Sequence, residues 1–206
     1  MLMSILDGLK TMFGQRRLAG AEELKGFLES RAAYLVQKSI TEYTQARAGM
    51  LFSTLMREPI FLESYERGRW RSFPAAISMV AEMVEGTLRQ AAATPPGALD
   101  PGLLRLVGEI LGQYPGPSGE GEAFWTEALD RVGRDLAQAA LGPPKAVRNI
   151  PMLRASEIFD ALPVSAELKQ HDFPMFRNTI RFHLTEISAE FEEKADPAAL
   201  AAALSQ

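Results

Sequence analysis

Residues 21–57 read AEELKGFLESRAAYLVQKSITEYTQARAGMLFSTLMR and contain no proline. Nothing before them does either, so all thirteen prolines of the chain fall from Pro59 onward. Proline removes a backbone donor and clashes with the preceding helical turn, so its absence lets a chain run as long helices. Leu24, Leu28 and Leu35 share one helical face, while Val36, Ile40, Tyr43, Met50 and Leu51 lie well round from it. An apolar face that drifts this far suits a helix touched on several sides, hence a central one. Gly49, or the polar stretch Gln37–Lys38–Ser39, marks a bend. The predicted fold class is all-α, an irregular multi-helix bundle built around a long helix near residues 21–57.

Outward from this stretch, helical spacing and punctuation predict the remaining elements. A short segment from Ile60 to Arg67 ends at Gly68. A helix follows over 73–93, with Pro74 in its first turn and the stripe Ile77, Val80, Ala81, Val84 and Leu88. Thr94-Pro95-Pro96-Gly97 ends it. Asp100-Pro101 starts the next helix as an N-cap acceptor with proline behind it, and Leu103, Leu104, Val107, Ile110 and Leu111 form its apolar face. After the Gly/Pro loop 112–121, a helix over 121–141 carries Trp125, Ala128, Leu129, Val132, Leu136 and Ala139. Short helices are expected over 156–162 and 165–171. A strong one covers 173–194, with Phe173, Phe176, Ile180, Leu184, Ile187 and Phe191 in step. Asp196-Pro197 restarts an alanine-rich helix. No segment shows strand alternation between hairpin turns.

Residues 2–13 have their own amphipathic pattern, with Gly14 as the stop. The expected organisation is an amphipathic N-terminal helix over 1–14 and a single helical domain over 20–206, with a joint at 94–121. At 47% hydrophobic and 23% charged, the 206 residues have the composition of a soluble globular protein. The absence of cysteine excludes disulfides, thiolate metal sites and a cysteine nucleophile. The N-terminus has no positive charge ahead of its apolar residues, so it reads poorly as a secretion signal, and a cytoplasmic location is the default expectation. Residues 1–93 hold twelve Lys/Arg and ten Asp/Glu, a balance of +2, whereas 94–206 hold ten and sixteen, a balance of −6. A nucleic-acid binder concentrates far more positive charge than this, so nucleic acid is not the expected partner.

The short signatures of chemistry are missing: there is no H-E-x-x-H, G-x-S-x-G or G-x-x-x-x-G-K-[ST]. No metal site or cofactor is implied. His171 beside Asp172 reads as a helix end meeting a helix start, and His183 as a histidine at the edge of an apolar stripe. Three places remain as candidates. Leu2, Ile5, Leu6, Leu9 and Phe13 form an apolar stripe that folds back on the domain, binds a partner or second copy, or makes a peripheral membrane contact through residues 1–17. Arg31, Lys38 and Glu42 fall close to the Leu24–Leu28–Leu35 face, with Tyr34 and Tyr43 beside them. Buried, this polar group would line a ligand pocket; rotated outward, it would reach water. Arg67, Arg69 and Arg71 surround Trp70 in the densest basic-aromatic patch, which suits an anion, or else a turn whose tryptophan plugs the core and whose arginines pair with acids of the second half.

Three functional readings follow. The leading one is a non-enzymatic helical protein-interaction module that self-associates or docks on another protein. The second is a small-molecule-binding helical protein with its pocket along the long helix. The third is an enzyme without a short motif.

Overall fold

The computed structural model describes residues 17–117, 119–121 and 123–205. Among these, every named element is helical, and the bundle is all-α. Helix α1 (Ala21–Ala48) starts with Glu22 and Glu23 in its first turn, where the positive end of the helix dipole favours them. It ends at Gly49, whose φ of 55° suits glycine. The helix expected over 21–57 therefore stops at Gly49, the later of its two candidate bends, and runs straight through Gln37–Lys38–Ser39. A 3-10 turn (Gly49–Leu51) and the short α2 (Phe52–Leu55) lead to α3 (Pro59–Ala91), where proline occupies the first turn.

Helix α3 corrects the expected division into 60–67 and 73–93. It runs unbroken for 33 residues, with Gly68 and Pro74 inside it. Both breakers are accommodated by packing. Every residue from 72 to 85 is buried, and tertiary contacts of that extent override local propensity. Gly68 passes so close to the backbone of Ala161 that a Cβ would collide with its carbonyl oxygen. The glycine is there for close approach rather than for a break.

The other helices pack around the α1–α3 pair: α4 (Asp100–Leu111), α5 (Phe124–Ala140), α6 (Pro151–Asp160), α7 (Ala166–Lys169), α8 (Phe173–Lys194) and α9 (Pro197–Leu204). α5 and α6 lie along α3, α8 lies across α1 and α6, and α4 contacts α1 and α5. The predicted 173–194 helix is α8, with the bounds expected. One apolar cluster threads all the long helices; Leu24, Leu28, Ile77, Leu88, Leu103, Phe176 and Phe191 are fully buried in it. Side chains of this size contribute roughly 1.5–3 kcal/mol each on burial.

The ends of several elements are tied by specific polar contacts. Leu18 N–H donates to the Lys194 carbonyl (2.9 Å) and its own carbonyl accepts from Asp196 N–H (2.8 Å), which fixes the start of α1 beside the α8–α9 junction. Asp196 caps α9 by accepting from Ala199 N–H at 3.1 Å. Lys169 is buried and donates to the Phe159 and Asp160 carbonyls at 2.6 and 3.1 Å, closing the end of α6; burial pushes its ammonium below the ordinary lysine range. Asp100, expected as an N-cap, is instead the first residue of α4 and makes no capping bond. No helix among the described residues is long and apolar enough to cross a membrane.

Candidate functional site

The polar residues expected to line a pocket on α1 form a seam against α8. Arg31 pairs with Glu190 (3.0 Å) and lies 5.8 Å from the Phe27 ring centroid. Tyr34 meets His183 edge-on, at 6.0 Å between ring centres. Lys38 binds Glu42 at 3.1 Å, Glu42 meets His183 Nε2 at 2.9 Å, and His183 Nδ1 faces Glu186 at 3.0 Å. Burial pushes Glu42 up, but the hydrogen bonds from His183 and Lys38 outweigh it and hold the carboxyl below its ordinary range. The bond to Glu42 raises Lys38. Arg31, Tyr34, Lys38 and Glu42 thus lie in one row, each matched by a group on α8 or on α1 itself.

Tyr43 belongs to a neighbouring cluster. Its hydroxyl donates to Asp172 at 2.6 Å, and Arg47 binds the same carboxylate through Nε at 2.6 Å and through its terminal nitrogen. The Arg47 guanidinium, then the Tyr43 hydroxyl, hold Asp172 well below the usual carboxylate range. Asp172 therefore staples α1 to the start of α8, and its side chain does not cap α8. Glu42 lines an open groove of about 660 Å³, with Pro174, Met175, Phe182 and His183 among its walls.

Arg67, Arg69 and Arg71 lie on α3, so they occupy successive helical directions and do not converge. Arg67 pairs with Glu63 (2.5 Å), Arg69 reaches both oxygens of Glu66 (3.0 Å), and Arg71 pairs with Glu120 (2.8 Å). An incoming anion would have to displace a carboxylate from each. Trp70 packs with Tyr114 (5.1 Å), Trp125 (6.1 Å) and Phe73 (6.4 Å). A cavity of about 310 Å³ opens beside it, walled by Glu63, Glu66, Pro115 and Pro117. Among the described residues no group of histidines and carboxylates has metal-holding geometry. Leu2, Ile5, Leu6, Leu9 and Phe13 lie outside the described residues.

The elbow between α1 and α3 exposes several large apolar side chains close together in the chain. Met50 is 98% exposed, Ile60 85%, Leu51 65% and Leu62 40%. Phe52, Leu55, Met56 and Phe61 are half-buried beneath them. Met50 and Leu51, expected on a contacted face of the central helix, are instead turned into solvent because α1 ends at Gly49. The signal was present in the sequence: GMLFSTLM, between a glycine and Pro59, supplies more apolar side chains than a tight connection can bury. Arg57 and Glu58 stand exposed at the same elbow and form no ion pair among the described residues. The chain matches no known protein family, and no characterised protein or solved structure is significantly similar to it.

Proposed function

We propose that this protein is a helical interaction module that associates with a second copy of itself through the α1–α3 elbow. The observation that carries this reading is the set of large apolar side chains exposed there, Met50, Leu51, Ile60 and Leu62. Isolated apolar residues on a surface are ordinary, whereas several exposed within one short stretch of chain favour a contact. A second copy is the occupant because the rim is self-complementary. A two-fold contact sets the Arg57 of each copy against the Glu58 of the other, and the apolar tips against one another. A membrane-facing tip would instead carry a one-sided basic rim.

Sedimentation velocity of the full chain over a range of concentrations tests this. The expected result is a reversible dimer that Ile60→Lys abolishes while the helical circular dichroism is kept. A chain that stays monomeric at every concentration contradicts it. A dimer that survives Ile60→Lys but is lost when residues 1–14 are removed moves the contact to Leu2, Ile5, Leu6, Leu9 and Phe13. A second reading, a small ligand beside Tyr34, Lys38, Glu42 and Tyr43, draws on the groove that Glu42 shares with Met175 and Phe182. A thermal-shift ligand screen checks it; Lys38→Met removes any true hit at that place.

A further inference from the structure

At the opposite end of α3 from the elbow, charged side chains are buried with their hydrogen-bonding capacity unused. Both carboxylate oxygens of Glu85, Nε of Arg89, Oγ1 of Thr94 and Oδ1 of Asp100 are buried without a hydrogen-bond partner. These four residues belong to one place. Arg89 Nε lies 3.0 Å from Glu85 Oε1, but its N–H is not aimed for a hydrogen bond. Thr94 N–H donates to the Arg89 carbonyl at 3.2 Å, and the Asp100 carboxyl is close enough to act electrostatically on Glu85 and to feel Arg89.

Arg89 is already committed elsewhere. Its two terminal nitrogens donate to the Gly142 and Ala139 carbonyls, 3.0 and 3.2 Å away, at the negative end of α5. One cation, turned mostly toward those carbonyls, therefore faces two carboxyl groups. Glu82, one turn back on α3, adds a third negative charge, which Lys145 answers at 2.6 Å. A buried carboxylate that accepts no hydrogen bond is among the costliest groups a fold can hold. The connection that closes the place carries strain of its own, since Ala93 has a φ of 51°.

We propose that Glu85 and Asp100 together hold one proton in the folded protein at pH values where ordinary carboxylates are already ionised, and that this proton keeps the 92–99 connection closed over the end of α3. Burial pushes both acids above their ordinary values, with Arg89 opposing it in each case and Asp100 adding to the shift of Glu85. For an acid raised in the folded state, the fold binds the extra proton. Stability then falls as pH climbs from the ordinary value of 4.5 for Glu85 toward its folded value, and levels off above that. Loss of the proton places two like charges beside each other and opens the 92–99 connection, together with the Arg89 grip on α5.

Infrared spectroscopy of the full chain over a pH series that starts just above the ordinary carboxylate range tests the proton directly. The expected spectrum contains the carbonyl stretch of a protonated carboxylic acid, lost in Glu85→Gln and in Asp100→Asn. Hydrogen exchange tests the closure by comparing wild type with Glu85→Gln at the same pH, so that intrinsic exchange cancels. At pH 8 the amides of 92–99 exchange several-fold faster in wild type than in the variant, and near pH 4 the two agree. Absence of the acid band from wild type overturns the proposal, as does faster exchange in Glu85→Gln than in wild type at both pH values. A melting temperature raised by potassium or sodium at constant ionic strength, without the acid band, would replace the proton by a cation.

Discussion

The two ends of α3 invert the usual rule in opposite senses. At its start, Ile60 and Leu62 stand in solvent while Glu63 and Arg67 form an ion pair beside them. At its finish, Glu82, Glu85 and Arg89 are buried, the first two in a run of buried, mostly apolar residues that extends back to Ser72. One helix thus exposes what normally hides and hides what is normally exposed. Exposed apolar side chains cost the folded monomer little and are answered by a second surface. Buried, incompletely hydrogen-bonded charges cost the fold directly and are answered by protons or partners within it. The start of α3 is therefore where assembly is expected to be sensitive, and its finish where stability is.

Substitution at the buried end has the largest expected effect. Arg89→Met removes the cation that faces Glu85 and Asp100 and leaves two carbonyls unpaired, for a loss of about 3–5 kcal/mol in urea unfolding at neutral pH. Gly68→Ala, in the first third of α3, forces the helix away from the Ala161 carbonyl and costs about 1–3 kcal/mol by the same measurement. Asp172 has the opposite pH behaviour to Glu85. Its carboxyl is lowered in the fold, so the stability it contributes is present above its ordinary value of 3.8 and lost as pH falls through the folded value. Melting curves from pH 6 downward should show a shallower acid decline in Asp172→Asn than in wild type. At the exposed end, Ile60→Lys changes monomer stability by no more than about 0.5 kcal/mol, while the sedimentation coefficient drops to that of a monomer. If Ile60→Lys proves as destabilising as Arg89→Met, the contrast between the two ends fails.

Much of the architecture was legible because local and tertiary demands agree. Residues 173–194 have phenylalanine, isoleucine and leucine at helical intervals between Pro174 and Pro197, and they fold as that helix. The Pro/Gly stretches at 94–97 and 142–144 are connections, as their chemistry requires. Gly68 and Pro74 misled because a breaker in sequence becomes a packing device when the chain on either side is buried. The seam was half legible. Arg31, Lys38 and Glu42 share a face of α1, but His183 and Glu190, which complete it, are more than a hundred positions away along the chain. Nothing local marks Glu85 and Asp100 as neighbours, since only the return of the chain through 92–99 brings them together.

The most direct test of the elbow as a contact between two copies uses the absence of cysteine from the chain. A single cysteine placed at Met50 lies at the exposed tip, and one placed at Gln113 is exposed elsewhere. Under mild oxidation the Met50→Cys chain is predicted to form a disulfide-linked dimer rapidly, with the linkage suppressed by Ile60→Lys, while Gln113→Cys stays monomeric. Equal cross-linking at both positions, or none at Met50, would contradict the account.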